Sequence, residues 1–307
     1  MKERFPLVSI IAGTYNQPEL TLDFIKSLKQ ITYPNYEVII FDNASDKKKP
    51  GIIKERYPEI TLIENKENLG YGGGNNIGIR AAKGKYLLLI NNDVEVEPDF
   101  LEPLVAKLES DPTIAVCNPK IRFFFKPDTI QYIGFTAITT ITVRNEGIGY
   151  GEKDTGQYEE DRFTHYGCGT AMLLPIEAIK KVGLISELFF LYYDEMDWFQ
   201  RFNDAGYKNA YVHNSLIYHK DSMTTGAMSP YKTYFVSRNR ILYLRRNVSG
   251  FKFYLAILYQ FLIAVPKNML VFLLKGQFKH FIAFKNAIGW HFANAFNPEV
   301  HKNISLD

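Results

Sequence analysis

Acidic and amide side chains gather where an apolar run ends. Residues 86–90, Tyr-Leu-Leu-Leu-Ile, lead straight into Asn91-Asn92-Asp93-Val94-Glu95. Carboxylates at the end of a buried strand can hold Mg2+ or Mn2+, hard ions that take oxygen ligands and bridge to phosphates. The same five residues also suit an ordinary polar turn. A second cluster, Tyr192-Tyr193-Asp194-Glu195-Met196-Asp197-Trp198, puts three acids at the start of a helical pattern. Acids in a first turn complement the helix dipole, but this density exceeds what capping needs. A carboxylate here suits a general base for an acceptor hydroxyl.

Two further segments carry possible chemistry. Residues 65–78 read Asn-Lys-Glu-Asn-Leu-Gly-Tyr-Gly-Gly-Gly-Asn-Asn-Ile-Gly. Glycines that open a helix let backbone N–H groups approach a phosphate or sugar, and a flexible loop is the plainer alternative. A dinucleotide-binding fingerprint does not fit, because Asn75 stands where the third glycine belongs and the loop follows a third strand. His219 ends an apolar run and precedes Lys220-Asp221-Ser222. A lone histidine is usually structural, but a divalent site with one or two carboxylates still needs a ligand.

The elements that must position these groups alternate between strand and helix, the pattern of an α/β domain with a mostly parallel sheet. Strands are expected at 7–12, 36–41, 60–63, 86–90 and 114–117. Helices are expected at 19–30, at 98–110 behind Pro98, and at 194–205, closed by Gly206. Short strands are expected at 209–212 and 216–218, and irregular strands and loops over the site at 122–164. Polar groups recur at the strand ends: Thr14-Tyr15-Asn16, Asp42-Asn43, Asn68-Leu69-Gly70 and Asn91-Asn92-Asp93. Ligands of open α/β sheets bind beyond those ends.

Length and composition fit this plan. With 307 residues, 46% apolar and 22% charged, the chain can bury a sizeable core. Cys117 and Cys168 are too few for a disulfide framework or a four-ligand zinc site. The start, Met1-Lys2-Glu3-Arg4-Phe5-Pro6, has no apolar stretch of signal-peptide length, so the expected location is the cytoplasmic face of a membrane. The net charge of +3 hides an asymmetry: ten Lys and Arg and no acid lie between Ser222 and Pro298. Interspersed Phe, Leu and Ile point to an anionic membrane surface rather than to nucleic acid. The apolar stretch 253–274 carries Gln260, Pro266, Lys267 and Asn268, so amphipathic helices lying in the interface are expected, not a spanning one.

Taken in order, these segments resemble glycosyltransferase family 2 with the GT-A fold, a Rossmann-like α/β sheet with flanking helices, and especially its rhamnosyltransferase-like branch. The resemblance rests on Val8-Ser9-Ile10-Ile11 with Thr14-Tyr15-Asn16, on Phe41-Asp42-Asn43-Ala44-Ser45-Asp46, and on Glu67-Asn68-Leu69-Gly70 through Asn76. Asn91-Asn92-Asp93, Asp194-Glu195-Met196-Asp197-Trp198 and Arg238-Asn239-Arg240 complete it. It covers about Leu7 to Arg246 and implies a catalytic domain at 1–247, with a nucleotide-sugar half at 1–118 and an acceptor half at 119–247; the charge pattern adds a basic, aromatic, helical membrane-associating segment at 248–307.

The resemblance also implies roles. Thr14, Tyr15, Asn16 and Asp42 would contact the nucleoside, with Asn68, Gly70, Gly72, Asn75 and Asn92 completing the nucleotide-sugar site. Asp93 matches the metal-binding acid of the DxD-type motif, though Asn91 and Asn92 replace its other acids. His219 and Glu95 are the further candidate ligands of a divalent cation, Mg2+ or Mn2+. Glu195 matches the catalytic base and Asp194 is its rival, while Gly169, Thr170, Trp198, Arg238 and Arg240 are candidates for the acceptor or the diphosphate. The implied reaction is inverting transfer of a sugar, best matched by rhamnose from its deoxythymidine diphosphate donor, to a saccharide or polyprenyl-diphosphate-linked acceptor. The Gln-x-x-Arg-Trp motif of processive synthases is missing, so one sugar per binding event is expected. The alternatives are a transferase of the same family using a uridine diphosphate hexose, and a catalytically silent membrane-associated scaffold of the same fold.

Overall fold

The computed structural model describes residues 5–220 and 229–306. Asp221 and Ser222, together with residues 1–4, lie outside the described residues. Strands β1 (Val8–Thr14), β2 (Tyr36–Asp42), β3 (Thr61–Glu64) and β4 (Tyr86–Ile90) form the parallel part of one sheet in the order β3-β2-β1-β4. Successive side chains of β1 serve opposite faces, as strand geometry requires. Ile10 joins the core beneath α1 (Pro18–Leu28), α2 (Gly51–Arg56) and α4 (Leu101–Ser110), and Ile11 the core beneath α3 (Gly70–Ala81). Both are fully buried, and each such side chain contributes roughly 1.5–3 kcal/mol.

Beyond β4 the sheet is mixed. It continues through β9 (Ala171–Pro175), β6 (Ile114–Phe123), β10 (Lys208–His219) and β5 (Val94–Val96). β9 runs antiparallel to β4, β10 parallel to β6, and β5 antiparallel to β10. β7 (Lys126–Tyr132) pairs with β6, and β8 (Arg162–Thr164) pairs with β10. The expected halves at 1–118 and 119–247 therefore share this sheet, with their boundary inside β6.

Several sequence expectations shift here. The two strands expected at 209–212 and 216–218 are one strand, β10, whose pairing with β6 slips between Val212 and Leu216. Val94–Val96, read as part of a polar strand end, is the short strand β5. The helix expected from Pro98 begins at Leu101, after a turn in which Phe100 N–H donates to the Glu97 carbonyl and the Pro98 carbonyl accepts from Thr32 N at 2.8 Å. Helix α6 (Asp194–Asp204) ends before Gly206 as expected, with φ at +83°. Both cysteines are free.

The last quarter is helical: α7 (Pro230–Asn247), α8 (Gly250–Tyr259), α9 (Val265–Leu274) and α10 (Phe278–Ala293). Pro266 does not break the apolar stretch. A π-turn at Gln260–Ala264 joins α8 to α9, and Pro266 follows it in the first turn of α9. The result is one 25-residue helix, Gly250–Leu274.

Candidate active site

A cavity of about 600 Å³ opens beyond the carboxyl ends of β1, β2 and β4, the position at which open α/β sheets bind ligands. Thr14, Tyr15, Asn68, Gly70, Asn75, Asn92, Asp93 and His219 all line it. A buried hydrogen-bond chain sets its floor. Asn92 Nδ2 donates to Thr21 Oγ1 at 2.9 Å, and Thr21 Oγ1 donates to Thr14 Oγ1 at 2.9 Å. The ends of β1 and β4 and the first turn of α1 are thereby locked together.

Other expected nucleotide residues hold loops instead of facing the cavity. Asn16 accepts from the backbone N–H groups of Asp46, Lys47 and Lys48. Asp42 is buried and its carboxylate accepts from Ser45, both backbone and hydroxyl. Its neighbour Asn43 lines the cavity, donates to the Gly70 carbonyl at 2.9 Å and accepts from Leu69 N at 3.0 Å. Gly72 packs the helix: a Cβ there would stand 2.8 Å from Ile185 Cγ2. Gly70 has φ +71°, and a Cβ would fall 2.1 Å from the Phe190 carbonyl oxygen, so only glycine fits.

Two of the three candidate metal ligands meet. β10 brings His219 beside Asp93 with Nε2 3.1 Å from Asp93 Oδ1, and both are buried in the cavity wall. Glu95 lies on β5 and pairs with Lys220 at 2.9 Å, away from that pair. Among the described residues no group of three or more His, Cys, Asp or Glu is placed to share an ion. The Asp93–His219 pair still fits a divalent cation in donor chemistry, one oxygen and one imidazole nitrogen, if a diphosphate and water supply the remaining ligands.

The acids of α6 stand at the other side of Tyr71. The Tyr71 ring lines the cavity, and its hydroxyl donates to the Gly169 carbonyl at 2.8 Å. A Cβ on Gly169 would lie 3.5 Å from Glu195 Cγ, so the glycine leaves room beside that carboxylate. Thr170 anchors the same turn by accepting Asn91 N at 2.9 Å. Asp194 is buried, and its Oδ2 has no hydrogen-bond partner among the described residues. Burial, then the adjacent Glu195 charge, push the Asp194 carboxyl well above the usual range. Burial, followed by the Asp194 and Glu195 charges, likewise raises the Tyr71 hydroxyl.

The segment leading to these acids is strained and clamped. Phe190, Tyr192 and Tyr193 have φ of +64°, +67° and +68°, which costs non-glycine residues of order 1 kcal/mol or more each. Asn239 of α7 holds them there, its Nδ2 donating to the carbonyls of Phe189, Leu191 and Tyr192 at 2.7–2.9 Å. Arg238 is buried and donates to the carbonyls of Leu188 and Phe189, while Arg240 Nε donates to Tyr193 Oη. Neither arginine lines the cavity, and Trp198 is core, donating to the Gly183 carbonyl at 2.8 Å. Among the described residues, the basic side chain in the cavity wall is Lys232, in the first turn of α7 behind the Ser229 cap. Sequence reasoning missed it, although Ser229-Pro230 is a legible helix start. Asn239→Ala takes this donor from the Leu191 and Tyr192 carbonyls, while Arg238 still holds that of Phe189, so turnover is expected to fall about tenfold with nucleotide affinity kept. Steady-state kinetics with a nucleotide titration checks this, and an unchanged turnover would contradict it.

A curated "Uncharacterized glycosyltransferase" of Haemophilus influenzae is 32% identical over 136 residues, covering 43% of each chain. The chain thus spans under half of that relative's length. The N-acetylglucosaminyl-diphospho-decaprenol L-rhamnosyltransferase of Mycobacterium tuberculosis is 24% identical over 251 residues, covering 72% of this chain and 78% of that one. In fold, the chain is similar to GalNAc-T7 solved with UDP, GalNAc and Mn2+, with a TM-score of 0.65 and 17% identity over 80% of this chain and 49% of that one. It is also similar to the mannosyltransferase PcManGT of Pyrobaculum calidifontis solved with GDP-Man and Mn2+, with a TM-score of 0.58 and 16% identity over 96% of this chain and 77% of that one. The model of "Glycosyl transferase family 2" matches residues 9–183, from β1 to the end of α5 (Ile176–Val182). That is more than half of the chain, and it takes in the glycine loop, Asp93 and Gly169: this α/β chain belongs to glycosyltransferase family 2.

Proposed function

We propose that the chain is an inverting, divalent-cation-dependent transferase that moves a sugar from a nucleoside diphosphate to a saccharide or polyprenyl-diphosphate-linked acceptor. The observation that carries this reading is the meeting of His219 Nε2 and Asp93 Oδ1 at 3.1 Å in the wall of a cavity beyond the strand ends. Asp93 and His219 would hold the cation, which would neutralise charge on the departing diphosphate. Lys232 faces the same space and adds a positive charge. Glu195 takes the acceptor hydroxyl proton. The acceptor oxygen forms a bond to the anomeric carbon as the bond from that carbon to the phosphate oxygen breaks on the opposite face. The donor assignment, deoxythymidine diphosphate rhamnose, is supported by the name of the mycobacterial relative at 24% identity. Nuclear magnetic resonance of the product tests both parts. A rhamnose linked with the anomeric configuration opposite to the donor's is expected, whereas retained configuration contradicts inversion and transfer of a hexose alone contradicts the donor.

The reading includes a catalytic domain at 1–247 and a membrane-attached segment at 248–307, at the cytoplasmic face. The helix Gly250–Leu274 is long and apolar enough to cross a bilayer by length and composition. Its packing favours lying in the surface instead. One side, with Ile257, Phe261, Val265, Met269 and Phe272, packs on Ile241 of α7 and on Phe284 and Ile288 of α10. The other side exposes Phe251, Tyr254, Leu258, Leu262, Leu270 and Leu274. Lys252, Lys267, Lys275, Lys279 and Lys285 are exposed around it, each contributing about 1 kcal/mol near an anionic surface. In vesicle sedimentation the protein is expected to pellet with phosphatidylglycerol vesicles, to bind phosphatidylcholine weakly, and to be partly released by salt. A protein left in the supernatant with anionic lipid at low salt contradicts attachment, and resistance to alkaline extraction indicates a spanning helix.

A further inference from the structure

The outer half of β6 is flanked by two strands, β7 through Arg122 opposite Ile130 and β10 through Phe123 opposite His219. The pairing of β7 with β6 shifts register here, Tyr132 standing opposite Ile121 and Ile130 opposite Arg122, so Gln131 between them is the extra residue, with no partner on β6. Its Oε1 stands 2.8 Å from His219 Nδ1. An amide oxygen can only accept, so this contact puts the ring proton on Nδ1. In the neutral ring the lone pair is then on Nε2, 3.1 Å from Asp93 Oδ1. A divalent ion between these two atoms, or a proton on Nε2, satisfies both.

We propose that Gln131 is a positioning residue for the cation site. It fixes the tautomer and orientation of His219, so that Nε2 and Asp93 Oδ1 converge on the space a divalent ion would take. The inference rests on the reading of Asp93 and His219 as the cation-binding pair. Removal of such an outer partner typically weakens metal binding roughly 10–100-fold. Nothing else about Gln131 requires an amide. Its neighbours Ile130 and Tyr132 supply the packing of β7, and Gln131 itself is only half-buried.

The test uses the full chain, Mn2+ with UDP present, and electron paramagnetic resonance of free Mn2+. Gln131→Met keeps the side-chain length and removes the acceptor, so Mn2+ affinity should fall about 10–100-fold. Gln131→Glu keeps an acceptor and should bind Mn2+ at least as tightly as the unsubstituted protein, which separates positioning from a loss of fold. Long-range 1H–15N spectra of the metal-free protein should show the Nδ1–H tautomer of His219, and its loss in Gln131→Met. Asp93→Ala serves as the control. If Asp93→Ala binds Mn2+ normally, the underlying assignment of the pair is wrong. If Asp93→Ala loses Mn2+ but Gln131→Met binds it within twofold of normal, or Gln131→Glu fails to preserve it, the role of Gln131 alone is overturned.

Discussion

Asp93→Ala is expected to lower transfer by roughly 10³-fold or more, because it removes several kcal/mol of charge stabilisation and each ~1.4 kcal/mol is a factor of ten. The fold should survive. The Asp93 backbone carbonyl still accepts Lys220 N at 2.8 Å, and His219 still has Gln131 at 2.8 Å. The carboxylate itself points at the cavity, not into either apolar core. Its loss removes half of the only Asp–His pair in the cavity wall among the described residues. Measured rates with saturating Mn2+, beside a thermal melt, separate the two effects. A variant that keeps full activity would remove Asp93 from the cation assignment.

Glu195→Gln should cost about 10²–10⁴-fold in turnover with little change in nucleotide affinity, the loss expected when a general base is made unable to accept a proton. The rival, Asp194→Asn, should be mild for a physical reason. Asp194 is buried whereas Glu195 is partly exposed, and burial, then the Glu195 charge, pushes the Asp194 carboxyl well above the usual range, so Asp194 is the less accessible of the two to an acceptor hydroxyl. The same shift has a stability consequence. A folded-state pKa above the unfolded value means stability is lost as pH rises from the unfolded value toward the folded one. Asp194→Asn, which carries no such proton, should therefore be more stable than the unsubstituted protein at neutral pH, with the gap closing as pH falls below the ordinary carboxyl range. Urea midpoints across pH check this. An inactive Asp194→Asn with a competent Glu195→Gln would reverse the assignment.

The strand ends were legible because a buried strand must stop where polar residues begin. Thr14, Asn68, Gly70, Asn92 and Asp93 were found in this way, and all line the cavity. Side-chain direction was not legible. Asp42 and Asn43 are adjacent, yet one turns to Ser45 and the other to the cavity. Glu95 follows Asp93 by two residues, but β5 pairs with β10 and sends its carboxylate to Lys220. The Asp93–His219 contact joins residues 126 apart in sequence. No local pattern encodes that pairing, which depends on β10 running the length of β6 to deliver its last residue. The resemblance made Arg238 a candidate for the acceptor or the diphosphate. Rings of Tyr234, Phe235 and Trp290 instead surround its guanidinium, which serves the clamp on the strained segment before Asp194.

Release of nucleoside diphosphate from sugar nucleotides, followed with Mn2+, then with excess chelator, and then with Mn2+ restored, tests the central claim most directly. The panel would hold deoxythymidine diphosphate rhamnose, uridine diphosphate hexoses and guanosine diphosphate mannose, each with a lipid-linked saccharide acceptor. The account predicts release from at least one donor, its loss on chelation and its return with the cation. Release that continues undiminished in chelator, or no release above background from any donor, would contradict it.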